Sequence, residues 1–279
     1  MHVVIPMALL AASVTGGVIL KPVANMYSRP SEDADVVSQA IFGSNVAIIE
    51  DQAGWVRVRT ADEYTGWTLA ASLRRLGSGD RPYGSSGRVA RVARLFANLY
   101  REPDVTKHQP VYTVPFETNL EVIRAESETG RWLEVRLPDD RPAWVQTGDV
   151  TLDSKPLGIR ELIAFSKQFL GLPYLWGGTS TFGFDCSGFT QMLCRRRGII
   201  IPRDANVQAK WQGAEAVDRK QLEPGDLLFF GESKITHTGM YIGNGMFINA
   251  TTHERPVVQI SDLSDPFWEK LFLAARRIK

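Results

Sequence analysis

Over the first half of the chain, apolar and polar residues alternate in short runs, the two-residue period of strands with one buried face. Trp55-Val-Arg-Val-Arg59 and Trp132-Leu-Glu-Val-Arg136 are such runs, and they are also copies of one another. Val23-Ala-Asn-Met-Tyr27 returns as Phe96-Ala-Asn-Leu-Tyr100, and Trp55 and Trp67 return 77 residues later as Trp132 and Trp144. A repeat at constant spacing predicts two copies of one small β-barrel, over residues 15–76 and 88–152. Between them Gly77 to Gly87 is rich in Gly and Ser and reads as a linker, residues 77–87.

After Lys155-Pro-Leu-Gly158 the period changes, which places a third unit over residues 153–279. Apolar residues at 159, 162, 163, 165, 169 and 170 predict a helix that stops at Gly171. A second helix is predicted over Asp185–Arg197, ending at Gly198, and a third near Asp204–Gln212. Five apolar runs then read as strands: 227–230, 238–242, 246–249, 257–260 and 272–275. Helices followed by an antiparallel sheet make an α+β arrangement. At the other end, Val3 to Leu20 is largely apolar, but no Lys or Arg precedes it, and Thr15, Gly16 and Gly17 interrupt it. That pattern fits a buried extended segment, an N-terminal extension within residues 1–76, better than a cleaved signal or a membrane span.

Composition narrows the function. Hydrophobic residues make up 44% and charged residues 23%, enough for a packed core. Lys and Arg total 32 against 31 Asp and Glu, a net charge of +1, so neither nucleic acid nor an anionic membrane is expected as a partner. A monomer without membrane insertion is the expectation. Two cysteines eight positions apart, Cys186 and Cys194, make no disulfide framework. The histidines at 2, 108, 237 and 253 form no zinc-ligand spacing, so no metal is expected.

The candidate chemistry lies in the third unit. Phe184-Asp-Cys-Ser-Gly188 sets Cys186 at the start of a predicted helix, where free N–H groups and the helix dipole favour a thiolate. Cys194, two turns on between Leu193 and the helix end, reads as a small buried hydrophobe. A nucleophilic thiol needs a base, and the base needs a group that fixes its tautomer. His237 begins a strand; the turn Gly243-Asn-Gly245 folds the chain back and brings Asn249 near it on the next strand. Cys186, His237 and Asn249 therefore form a candidate triad.

On these residues the chain resembles the NlpC-type family of cell-wall cysteine peptidases, which have a papain-like catalytic domain. The matching stretches are Gly171-Leu-Pro-Tyr-Leu-Trp-Gly-Gly178, Phe184-Asp-Cys-Ser-Gly188, Ile201-Pro-Arg-Asp204, Leu222-Glu-Pro-Gly-Asp-Leu-Leu-Phe-Phe230 and His237-Thr-Gly-Met-Tyr-Ile-Gly-Asn-Gly245. The resemblance implies Cys186 as nucleophile, His237 as base and Tyr174 as a donor to the oxyanion. It puts Asn249 at a third position where relatives often carry His, with His253 nearby as the substitute to test. The first half is similar to bacterial SH3 domains, whose strands end in a comparable Gly-Trp.

Two SH3-like barrels ahead of such a domain resemble the γ-D-glutamyl-L-diamino acid endopeptidases, the dipeptidyl-peptidase VI group. That resemblance implies a murein-derived peptide with a free N-terminal L-Ala as substrate, and no cofactor. It implies that the first barrel walls the cleft and that acidic groups and a tyrosine hold the ammonium. Asp204 fits the acidic role and Tyr64 the tyrosine; the second copy has Arg141 where the first has Tyr64, so the repeat itself does not require the tyrosine. Asp35 or Glu32 would be a further acidic partner, and Ser187 a hydrogen-bonding group for substrate. Small released peptides suggest cytoplasmic wall recycling, with export as the alternative. Two other readings use the same residues: a cysteine amidase or acyltransferase on another amide, or a protein whose SH3-like pair targets intact wall.

Overall fold

The computed structural model describes residues 15–125 and 130–279, so most of the expected N-terminal extension lies outside the described residues. The first barrel is built from β1 (Thr15–Ile19), β2 (Val23–Tyr27), β3 (Val36–Ile41), β4 (Asn45–Gln52), β5 (Trp55–Arg59), β6 (Thr65–Leu69) and β7 (Leu73–Arg75). They form one sheet in the order β3-β2-β6-β5-β4-β1-β7. The second comprises β8 (Val89–Val92), β9 (Phe96–Tyr100), β10 (Tyr112–Pro115), β11 (Asn119–Ala125), β12 (Trp132–Arg136), β13 (Pro142–Gln146) and β14 (Val150–Thr151), ordered β10-β9-β13-β12-β11-β8-β14. The orders are the same after a shift of seven strands.

Detail repeats as well. The bulge between Ile48 and Glu50 in β4 returns between Val122 and Arg124 in β11. The alternation reads directly as burial: Val56 and Val58 of β5 are fully buried while Arg57 faces out.

The stretch 77–87 is more than a tether. Tyr83 is buried; its N–H donates to the Asn45 side chain at 2.8 Å and its hydroxyl to the Arg136 carbonyl, so it is anchored to both barrels. An aromatic ring in a Gly/Ser stretch supplies apolar area that a flexible linker lacks.

The third unit opens with α1 (Ile159–Ser166), a short hairpin of β15 (Thr179–Ser180) and β16 (Gly183–Phe184), then α2 (Cys186–Arg196) and the single-turn α3 (Ala205–Gln208). The strands β17 (Ala214–Val217), β18 (Leu227–Phe230), β19 (His237–Gly243), β20 (Met246–Thr251), β21 (Val257–Asp262) and β22 (Phe272–Ile278) follow, with α4 (Pro266–Leu271) before the last. Their sheet runs β17-β22-β18-β19-β20-β21, all antiparallel. Leu227 and Phe229 face the core under α2, with Phe169, Phe184, Phe189 and Met240, whereas Leu228 and Phe230 face a second cluster with Phe247 and Trp268. Both faces are covered, which is why β18 reads as an unbroken apolar run.

Two helices are shorter than their patterns predict. The first gives way to a 3-10 turn at Lys167–Phe169, and the third closes after one turn. β17 and α4 carry too little periodicity to predict, although Asp265 as cap and Pro266 in the first turn mark the start of α4.

Candidate active site

Asp185, immediately before α2, is the hub of the site. Its carboxylate caps the helix, accepting the Gly188 N–H at 2.7 Å, and also takes the Gly177 N–H at 3.1 Å. Arg203 closes on it in a two-pronged pair, 3.0 and 2.6 Å, and is only 2% exposed. Neither residue stands out for a role in the sequence pattern, where Asp before a helix start is the available signal for Asp185. Arg203 has none until its partners come together from separate segments.

Cys186 therefore stands at the first position of α2, 7% exposed. Burial pushes its thiol up to about 12, and the Asp185 charge adds to this; N–H groups of Thr238 and Ser187 and the Arg203 charge pull the other way. The expected thiolate preference of a helix start is thus outweighed by desolvation. Cys194, fully buried, lies in the core under α2.

His237 begins β19, and its Nε2 lies 2.9 Å from Asn249 Oδ1 on β20. The amide orientation follows from its other contacts. Asn249 Nδ2 faces the Gln259 carbonyl at 3.3 Å, an acceptor only, and the Ser261 hydroxyl at 3.1 Å. Oδ1 is left to accept from the imidazole, so Nε2 carries the hydrogen and Nδ1 the lone pair. Burial lowers His237 to about 4, against the support of Asn249. The ring sits against Trp268, with centroids 4.9 Å apart.

Tyr174 is brought to the same place: burial, then the charges of Cys186 and Asp185, raise its phenol above the usual value. Tyr64 and Asp204 meet across the two units, the phenol donating to Asp204 Oδ1 at 3.3 Å. Burial raises both groups, Tyr64 to about 12. Ser187 is buried, accepts from Arg203 at 2.8 Å and donates to Asp185 at 3.4 Å, which leaves its oxygen able only to accept from a ligand. Asp35 and Glu32 are exposed; the carboxylate of Asp35 makes no hydrogen bond among the described residues, but Val36 beside it presses on Gly177. His253 does not join His237; it stacks flat on Phe267, with centroids 3.8 Å apart. His253, Glu254 and Asp265 offer ligand atoms within 4.8 Å of one another, but Asp265 caps α4.

The first barrel forms a wall through β3. Gln39 takes the Thr179 N–H at 3.1 Å through its side chain and the Thr179 hydroxyl at 3.3 Å through its carbonyl, and Ser38 meets Arg203 at 3.2 Å. Trp176, in the loop that β3 abuts, is 68% exposed.

The profile of the NlpC/P60 family matches residues 171–277, and that of the bacterial dipeptidyl-peptidase SH3 domain matches 26–73. A γ-D-glutamyl-L-lysine dipeptidyl-peptidase of Bacillus cereus is 33% identical over 261 residues, covering 86% of this chain and 74% of that one. The chain belongs to the NlpC/P60 family. A second γ-D-glutamyl-L-lysine dipeptidyl-peptidase, from Bacillus subtilis, is 31% identical and covers 88% of this chain and 82% of its own. The crystal structure of an NlpC/P60 family protein from Bacillus cereus superimposes with a TM-score of 0.80 at 27% identity, over 94% of this chain and 99% of that one. The molecule is thus an NlpC/P60 cysteine peptidase with an N-terminal SH3-like domain, mixed in helix and strand and mostly strand.

Proposed function

We propose that this NlpC/P60 peptidase hydrolyses the bond between the D-Glu side chain and the diamino acid in murein peptides that carry a free N-terminal L-Ala. The observation that carries this reading is the Tyr64–Asp204 pair, which sets a phenol oxygen from the first barrel against a carboxylate from the third unit, next to the Arg203 that pairs with Asp185 ahead of Cys186. An ammonium is the ligand such a pair suits: it donates to both oxygens and offsets the charge that burial makes costly on Asp204. Asp35 on the β3 side is the further acidic group proposed for it. The names of the two Bacillus relatives agree with this bond.

In the proposed reaction thiol and imidazole start neutral. As Sγ bonds to the carbonyl carbon, the thiol proton passes to Nδ1 of His237, and Asn249 holds the ring through Nε2. Charge developing on the carbonyl oxygen meets the Cys186 N–H and the Tyr174 hydroxyl. The imidazolium then gives its proton to the departing amine, and L-Ala-γ-D-Glu remains as a thioester. Water, deprotonated by His237, releases the dipeptide and frees the thiol. No cofactor takes part. Peptides already detached from the wall fit turnover in the cytoplasm, and that location belongs to the proposal.

The test compares the free tripeptide L-Ala-γ-D-Glu-diamino acid with its N-acetylated form. The free peptide should be cut and the blocked one nearly ignored, and Cys186→Ala should release no dipeptide. Equal cutting of both peptides would refute the amine requirement; dipeptide release by the Cys186→Ala protein would refute the nucleophile.

A further inference from the structure

The helix that carries the proposed nucleophile at its start carries, one and two turns on, a polar chain that the reaction does not use. Arg195 donates from Nε and Nη2 to Glu117 of the second barrel, at 3.0 and 2.9 Å. Its Nη1 donates to Gln191 Oε1 at 3.2 Å, and Gln191 Nε2 donates to Asp62 of the first barrel at 2.8 Å and to the Ile201 carbonyl at 3.0 Å. Gln191 cannot be reversed, because its amide oxygen faces a group that only donates and its nitrogen faces groups that only accept.

Asp62 belongs to the turn that presents Tyr64. The Thr60 hydroxyl donates to Asp62, and the Thr60 N–H donates to the Tyr64 carbonyl at 3.0 Å. The second barrel repeats the backbone of this turn, with the Leu137 N–H on the Arg141 carbonyl at 2.8 Å, but there Asp139 bonds to its own Arg141. Reaching α2 through this turn is therefore particular to the first copy. A cavity of about 570 Å³ separates the three units and is lined by Asp62, Glu117, Gln191 and Arg195. Where packing leaves such a space, the polar chain supplies the register between them.

Glu117 adds a second indication. It occupies the turn position at which the first barrel has Gly43, and both have left-handed backbone, φ +68° and +74°. Glycine adopts that conformation freely, whereas a residue with a side chain is strained there. The second copy bears this strain at the one residue whose carboxylate meets Arg195.

We propose that Glu117, Arg195 and Gln191 are positioning residues through which the second barrel holds the Asp62–Tyr64 turn, and so sets the recognition of the substrate's free amine. The inference rests on the reading that Tyr64 and Asp204 hold that ammonium.

The experiment measures kcat and KM of the full chain for the free tripeptide, and the residual kcat/KM for the N-acetylated one, in Glu117→Gln, Tyr64→Phe and the double variant. Glu117→Gln should raise KM for the free peptide about 3- to 10-fold, leave kcat within about twofold, and leave the blocked peptide unaffected. In the Tyr64→Phe background the same change should add little. Arg195→Lys, which keeps the charge without the fork, should fall between; Gln191→Glu, which sets a carboxylate against Asp62, should reproduce the KM effect if Glu117→Gln fails to fold. An effect of equal size on both peptides, or one that persists in full without the Tyr64 hydroxyl, overturns the inference while leaving the amine reading intact. If Tyr64→Phe itself changes neither peptide, the amine reading fails and takes the inference with it.

Discussion

Cys186 lies where a helix dipole would favour its thiolate, yet burial holds the thiol near 12, while His237 is lowered to about 4. Both shifts favour the uncharged pair, so in the proposed reaction the imidazole is the neutral form that accepts the proton during attack. kcat should then be nearly flat from about pH 5 to pH 9 and fall as pH drops through about 4. A bell-shaped profile with limbs inside that plateau would instead indicate a thiolate–imidazolium pair. Stability changes in the same direction: between the ordinary 6.5 and about 4 the unfolded chain binds a proton at this position that the folded chain does not, so acidification through that window weakens the fold. The placement of Cys186 at a helix start and of His237 beside Asn249 is legible in the sequence, because a helix start and a hairpin turn are local signals. Arg203 is not, since a buried guanidinium has no periodicity and its partners come from two distant segments, Ser38 on β3 and Asp185 and Ser187 at the start of α2.

At the level of elements, the alternation that predicts strands holds where a barrel strand has one buried face, as in β2 and β5, whereas β3, which also meets the third unit, buries Ser38, Gln39 and Ala40 in succession. The helices shortened where tertiary contacts replaced helical bonds: Gly171 donates its N–H to the Val258 carbonyl at 2.9 Å, tying the end of the first helical segment to β21. The loop between α1 and α2 is the element whose shape the sequence pattern did not convey. Gly177 there has φ +76°, and a Cβ would lie 2.5 Å from the Val36 carbonyl of β3. Gly177→Ala should therefore push the loop off the barrel wall and cost about 1–3 kcal/mol, seen as a lower Tm. Discrimination between free and N-acetylated peptide should decline with it, and an unchanged ratio would show that this contact is structural only.

For the whole molecule, the repeat foretold two barrels but not how they meet, because contacts between units leave no period in a sequence. The residue that shows this best is Tyr83, predicted as linker and found buried between the barrels. Removing its hydroxyl by Tyr83→Phe leaves the Arg136 carbonyl without that donor and should cost about 1–2 kcal/mol in denaturant unfolding.

The wall formed by β3 has a consequence for the cell that makes this enzyme. In intact murein the L-Ala nitrogen is an amide joined to the glycan, so it bears no positive charge and is followed by a bulky strand. Under the proposed amine requirement, a cleft bordered by β3 of the first barrel would turn away the standing wall and admit its debris. On that proposal the producer would need neither an inhibitor nor a zymogen to live with this hydrolase: self-protection would lie in the same contact, Gln39 against Thr179, that joins the first barrel to the third unit.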